Sequence, residues 1–175
     1  MRAAALLLVL LAQPGQTTTL QHLSLEDLAA RATAVVRGFA GGSHAEQEGA
    51  LAFTTSAFEV VERWKGNPEP ALTVSLPGGA RSPFAGVPTL VPGQEYVLFL
   101  WTGPSGRTQV VGLSQGVFEV RREPGAEPLL AQAPLGGARL AGAAEDAGAV
   151  SEIPLESLDE LFGSSAGVAG RRAGP

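Results

Sequence analysis

Apolar residues in this chain fall in short runs separated by Gly- and Pro-rich breaks. The densest run is Tyr96, Val97, Leu98, Phe99, Leu100 and Trp101, entered directly from the turn pair Pro92-Gly93. It is apolar on both parities, so both of its faces need cover, and it reads as the central strand of a closed or sandwiched sheet. Ala34 to Ala40 predicts another strand, with Val35, Val36 and Phe39 apolar; Gly38 within it marks a bulge or a close backbone approach. In Leu51 to Trp64, Phe58, Val60 and Trp64 share one parity while Ala57 and Val61 take the other, which predicts a bent strand serving two sides of a barrel. Lys65-Gly66-Asn67-Pro68 is a turn, and Leu72, Val74 and Leu76 alternate with Thr73 and Ser75 as a half-buried strand should. Beyond the turn Gly103 to Gly106, Thr108 to Leu113 and Gly116 to Arg122 predict two more strands, tightly joined through Ser114-Gln115-Gly116. Leu129-Leu130 predicts a short edge strand.

Helical spacing appears twice. From Leu23 to Ala32, Ser24 and Asp27 form a capping box, Leu23 and Leu28 occupy the two positions of a hydrophobic staple, and Leu25, Leu28, Ala29 and Ala32 make one apolar face. From Ile153 to Phe162, Leu155, Leu158, Leu161 and Phe162 share a face, and Gly163 ends the segment. This second helix either docks on its own sheet or, on its tether, seats in the groove of a partner as part of an assembly.

The expected organisation follows. Met1-Arg2 and the apolar run Ala3 to Ala12 predict a signal peptide over 1–19, the run being too short to span a bilayer. A β domain is expected over 20–132, an Ala/Gly-rich linker over 133–150, a short amphipathic helix over 151–163 and a patternless, disordered tail over 164–175. The expected location is periplasmic or extracellular, with no transmembrane segment in the mature chain.

Composition narrows the chemistry. The chain has 175 residues, 23 of them Gly and 13 Pro, which favours turns and short strands over long helices. Its net charge of -5 argues against a nucleic-acid partner. It contains no cysteine, so disulfides, thiolate catalysis and thiolate metal sites are excluded. No cofactor is expected. His44, Glu46 and Glu48 have the residue types of a metal site, but between Gly41 and Gly49 they read as a solvated hairpin loop, and no metal ligand is assigned. The five residues Gly112, Leu113, Ser114, Gln115 and Gly116 match the pattern Gly-x-Ser-x-Gly of hydrolases. In those enzymes a helix follows the serine and a histidine comes later in the chain; here a strand is predicted to follow, and no histidine lies beyond Ser114. No catalytic residue is assigned, and a serine hydrolase using Ser114 is the least favoured alternative.

The order of these segments resembles the netrin-like domain of the tissue inhibitors of metalloproteinases. Ala34-Val35-Val36 stands where that family has an Ala-Asp-Val-Val-type strand, and Trp64-Lys65-Gly66 where it has Phe-Lys-Gly. Ala85-Gly86-Val87 and Gln94-Glu95-Tyr96-Val97-Leu98 resemble its Cys-Gly-Val and Lys-Glu-Tyr-Leu segments. The likeness spans about Leu23 to Gly116, and the chain also resembles small exported bacterial proteins. The resemblance implies a mainly β fold, a closed five- to six-stranded barrel of OB type with a short N-terminal and a short C-terminal helix. It transfers no functional residue, because the family places an N-terminal cysteine on the protease zinc. The expectation is an exported, non-enzymatic binding module, protein-binding or protease-inhibitor-like, with an exported metalloprotease as one partner; a structural component of the cell envelope is the alternative. Phe84, Trp101 and Arg107 are the candidate partner-binding residues. Against that role, Phe84 can tuck back onto the barrel, and Trp64 and Trp101 both read as core residues.

Overall fold

The computed structural model describes residues 19–78, 86–134, 139–141 and 152–163. The chain is mainly β. Its strands are β1 (Thr19–Gln21), β2 (Ala34–Glu48), β3 (Leu51–Lys65), β4 (Ala71–Pro77), β5 (Glu95–Thr102), β6 (Thr108–Val110), β7 (Val117–Arg121), β8 (Leu129–Gln132), β9 (Arg139–Ala141) and β10 (Glu152–Pro154). The helices are α1 (Leu25–Arg31) and α2 (Glu156–Gly163), and a 3₁₀ turn covers Leu113–Gly116.

Eight strands form one sheet in the order β10-β8-β7-β5-β2-β3-β4-β6, and β6 also pairs with β5. Pairings can therefore be followed from β5 through β2, β3, β4 and β6 back to β5. The β4–β6 contact is a single parallel pair, Ser75 with Gln109, whereas β5–β6 and β5–β7 are antiparallel. Strand β5 has β2 on one edge; β7 and β6 follow each other along the other. This explains its all-apolar sequence: Tyr96 to Leu100 are buried on alternating faces.

Two apolar layers lie on either side of the sheet. The inner one gathers Val36, Phe58, Val60, Val74, Leu76, Tyr96, Leu98, Leu100 and Val110. The outer one lies between the sheet and the helices, with Val35, Trp64, Val97, Phe99, Phe118 and Leu130 under Leu28 of α1 and Leu158 and Phe162 of α2. Helix α1 starts where its cap dictates: Ser24 Oγ accepts from the Asp27 N–H and Asp27 Oδ2 accepts from the Ser24 N–H. Gly38 has the close approach its sequence implies, since a Cβ there would sit 1.9 Å from the carbonyl oxygen of Glu59.

Several expectations are revised. Trp64 leaves the layer of Phe58 and Val60, because the register steps from Gly38–Val60 to Arg37–Glu62 and the extra residue, Val61, flips the parity. The polar segment Gly41 to Gly49 is not a loop. Strand β2 runs on to Glu48, and the hairpin turns only at Gly49-Ala50. Leu129–Gln132 is not an edge strand, because β10 covers it. The expected linker 133–150 contains β9, which pairs in parallel with β1; three residues carry no readable periodicity, and their partner lies far off in sequence. The predicted C-terminal helix begins only at Glu156, its first residues being β10. It docks on its own sheet, with Leu158 fully buried and Trp64 Nε1–H donating to Asp159 Oδ1 at 3.0 Å. The expected signal segment up to residue 18 and the tail 164–175 lie outside the described residues. Among the described residues no helix is long and apolar enough to cross a membrane.

Candidate functional site

The helices cover the outer face over β5, β7, β8 and the Trp64 end of β3 but leave it open over the Leu51 to Thr55 end of β3, β4 and β6. A polar cleft of about 420 Å³ opens there, lined by His44, Glu46 and Glu48 of β2, Thr55 of β3, Thr73 and Ser75 of β4, and Ser105, Arg107 and Thr108 at the β5–β6 turn. Strand alternation builds it. Paired residues share a face, so His44 opposite Thr55, Glu46 opposite Phe53, and Thr55 opposite Ser75 all point outward, while Val74 and Leu76 point into the core.

Arg107 lies at the centre. Its Nη1 donates to Glu46 Oε2 at 3.1 Å and to Ser75 Oγ at 3.0 Å, and its Nη2 donates to Glu48 Oε2 at 2.8 Å. The guanidinium carbon stands 4.3 Å from the centroid of the Phe53 ring. One side chain thus ties the β2–β3 tip to β4 and to the β5–β6 turn. The bond from Arg107, seconded by that from Thr55, holds the Glu46 carboxyl below the usual carboxylate range, and Glu46 in turn raises Arg107. Both carboxylates remain open to solvent, with side-chain exposures of 45% for Glu46 and 67% for Glu48. The cleft therefore presents donors and acceptors together, with two carboxylates against one guanidinium.

Of the three residues singled out from sequence, Arg107 is in the cleft. Trp101 is not a core residue: it is 43% exposed at the end of β5, beyond the helix-covered part of the face. Phe84 lies outside the described residues. His44, Glu46 and Glu48 do alternate onto one face, but among the described residues no group of three or more His, Cys, Asp or Glu side chains is arranged to hold a metal ion. Ser114 sits in the 3₁₀ turn, fully buried, and its Oγ has no hydrogen-bond partner among the described residues. The strained backbone belongs to its neighbour Leu113, at φ 59°, while Gln115 ties the turn to the N-terminal segment by accepting from the Leu23 N–H and donating to the Gln21 carbonyl.

A second charged cluster is centred on Glu95, whose side chain is 10% exposed. Glu95 accepts from Arg122 through Nε and Nη2, both at 3.0 Å, and from Arg37 Nη1; Arg37 Nε also donates to Glu62 at 2.8 Å. Burial pushes the Glu95 carboxyl up, but Arg122 and Arg37 outweigh it, and the net shift is downward. This cluster braces the starts of β5 and β2.

His44, Glu46, Glu48 and Arg107 stood out in the sequence, but as a solvated loop and a separate cation; Thr55, Thr73 and Ser75, from two further strands, did not. The readable signal was the polar run Ser43 to Glu48 leading into Gly49-Ala50, which fits one arm of a projecting hairpin. Comparison with protein-family models, with curated proteins and with solved structures finds no match.

Proposed function

We propose that the chain is an exported, non-enzymatic binding module that takes its ligand on the open outer face of β3, β4 and β6. The observation that carries this reading is the Arg107 cleft: a built, solvent-open set of side chains from four strands, on the part of the sheet that neither helix covers. Ser114 is fully buried, which weighs against the serine hydrolase alternative.

The fold proposed for the module is a netrin-like barrel of OB type. Support comes from the ring of pairings β5-β2-β3-β4-β6-β5 and from the placement of the cleft on one sheet face between two connecting turns. The zinc-directed mode of the inhibitors has no counterpart in a chain without cysteine, so binding falls to the sheet face. The packing of α2 on its own core weighs against its serving as a tethered arm for assembly.

The test is capture from the native extracellular or envelope fraction, using the wild type and Thr73→Arg side by side. Thr73 is exposed in the cleft, and an arginine there fills it without touching the core. Specific capture by the wild type that Thr73→Arg abolishes is the expected result; capture indifferent to the substitution overturns the assignment of the face.

A further inference from the structure

We infer that the free edge of β2, residues 42–48, takes an extended peptide with basic side chains at every second position as an added antiparallel strand. This edge lies outside the face of β3, β4 and β6, so the inference goes beyond the ligand face proposed above.

Strand β2 is paired unevenly. Along one edge it pairs with β3 from Val35 to Glu48. Along the other it pairs with β5 only from Ala34 to Phe39, followed by Ala40, whose N–H and carbonyl bond to Gln94 and Gly93. Past Ala40 no strand among the described residues lies on that edge, and residues 42–50 are all exposed. The hairpin decides which main-chain groups are left over. Glu48 pairs with Leu51 across the two-residue turn Gly49-Ala50, with Gly49 at φ 60°. The pair flanking such a turn exchanges both of its main-chain bonds, and bonded pairs then alternate back along the strands. Glu46 with Phe53 and His44 with Thr55 are therefore bonded as well. Ser43, Ala45 and Gln47 turn their N–H and C=O groups the other way, to the free edge. The bond from the Gly78 N–H to the Ala52 carbonyl agrees, since Ala52, opposite Gln47, turns its own groups to β4.

The edge is unguarded and already shaped. Proline and lysine commonly blunt exposed edges; residues 42–48 contain no Pro, Lys or Arg, and the three positions that bond outward are uncharged. Pairing with β3 and the tie from Arg107 through Glu46 and Glu48 hold the strand extended, so an arriving peptide has little to order.

Charge selects the peptide. Glu46 and Glu48 project on one face of β2. Their cation, Arg107, lies over Phe53 and bonds to Ser75, on the β3 and β4 side, which leaves the carboxylates 45% and 67% exposed beside the free edge. Lysine or arginine at alternate positions of the added strand falls opposite them. A second copy of this chain brings the same two carboxylates to the edge, and like charges there oppose pairing.

The probe is a fluorescein-labelled seven-residue peptide alternating threonine and arginine, with threonine at both ends, titrated with the full-length protein and followed by anisotropy. With its arginines opposite Glu46 and Glu48 in an antiparallel pair, its threonines are the residues that bond to the edge. N-methylation of the threonines should weaken binding at least about tenfold, and N-methylation of the arginines should leave it within about twofold. A peptide with glutamate in place of arginine should not bind. In the complex the amides of Ser43, Ala45 and Gln47 should gain protection from hydrogen exchange. These comparisons leave the protein unaltered, so misfolding cannot imitate them. No binding at low salt, equal loss from both methylated series, loss from the arginine series alone, binding by the glutamate peptide, or a dimer that protects the same three amides without peptide overturns the inference. If the peptide fails while capture sensitive to Thr73→Arg persists, the edge is wrong and the face stands. If the threonine pattern appears while capture is indifferent to Thr73→Arg, the edge stands and the face is wrong.

Discussion

Replacing Glu95 by glutamine removes one charge and leaves its shape. The carboxylate is 10% exposed and receives bonds from two guanidiniums, which in the variant face a neutral amide and each other. Breaking a buried pair by removing one partner costs about 3–5 kcal/mol. The cost here is smaller, because the Arg122 side chain is 52% exposed and can turn to water, and Arg37 keeps Glu62. A loss of about 2 kcal/mol follows, or about 6 °C in Tm for a domain of this size. The pH dependence gives the sharper reading. The folded-state pKa of Glu95 is lowered, so its contribution is complete above the unfolded glutamate value of about 4.3 and is lost as pH falls through the folded value. Thermal unfolding of wild type and Glu95→Gln from pH 7 down to pH 2.5 should show a constant gap near neutrality that closes below about pH 4. Equal stability at pH 7, or a gap that persists undiminished in acid, refutes the reasoning.

Gly38→Ala puts a methyl group against the Glu59 carbonyl, where backbone on both sides must move; denaturant unfolding should show a loss of about 3 kcal/mol or failure to fold. Leu158→Ala empties a fully buried site between α2 and the sheet, costing about 3 kcal/mol, and limited proteolysis should then cut first in the C-terminal segment. Arg107→Ala removes exposed ion pairs and should change Tm little, yet hydrogen exchange should speed up at the β2–β3 tip, Glu46 to Leu51, which Arg107 holds; unchanged exchange there means the side chain is not a tie.

What could be read ahead of the structure was whatever is local. The Ser24–Asp27 cap, the doubly covered strand at Tyr96 and the constraint at Gly38 each depend on neighbours within a few residues or on one run of composition. Parity arguments held until a bulge intervened: Val61, whose off-parity position predicted a bend, sends Trp64 to the helix side, but where the register steps is set by pairing with β2. Trp101 follows Phe99 onto the same face, but the helices stop short of it, which only the tertiary arrangement decides. The β2 extension escaped because a strand solvated on both faces loses its apolar alternation, and β1 with β9 escaped because a three-residue parallel pair has none to show. Arg107 was noticed as a surface cation; its partners lie about 30 to 60 residues away in the chain, so the cleft emerges only when the β2–β3 tip meets the β5–β6 turn.

The most direct measurement is the hydrogen-exchange footprint of the captured partner. If the open face takes the partner, protection is added at Gly103 to Thr108 and at Glu46 to Leu51, with α1 and α2 unchanged. Protection confined to the helices, with the β5–β6 turn and the β2–β3 tip exchanging as in the free protein, rules that face out.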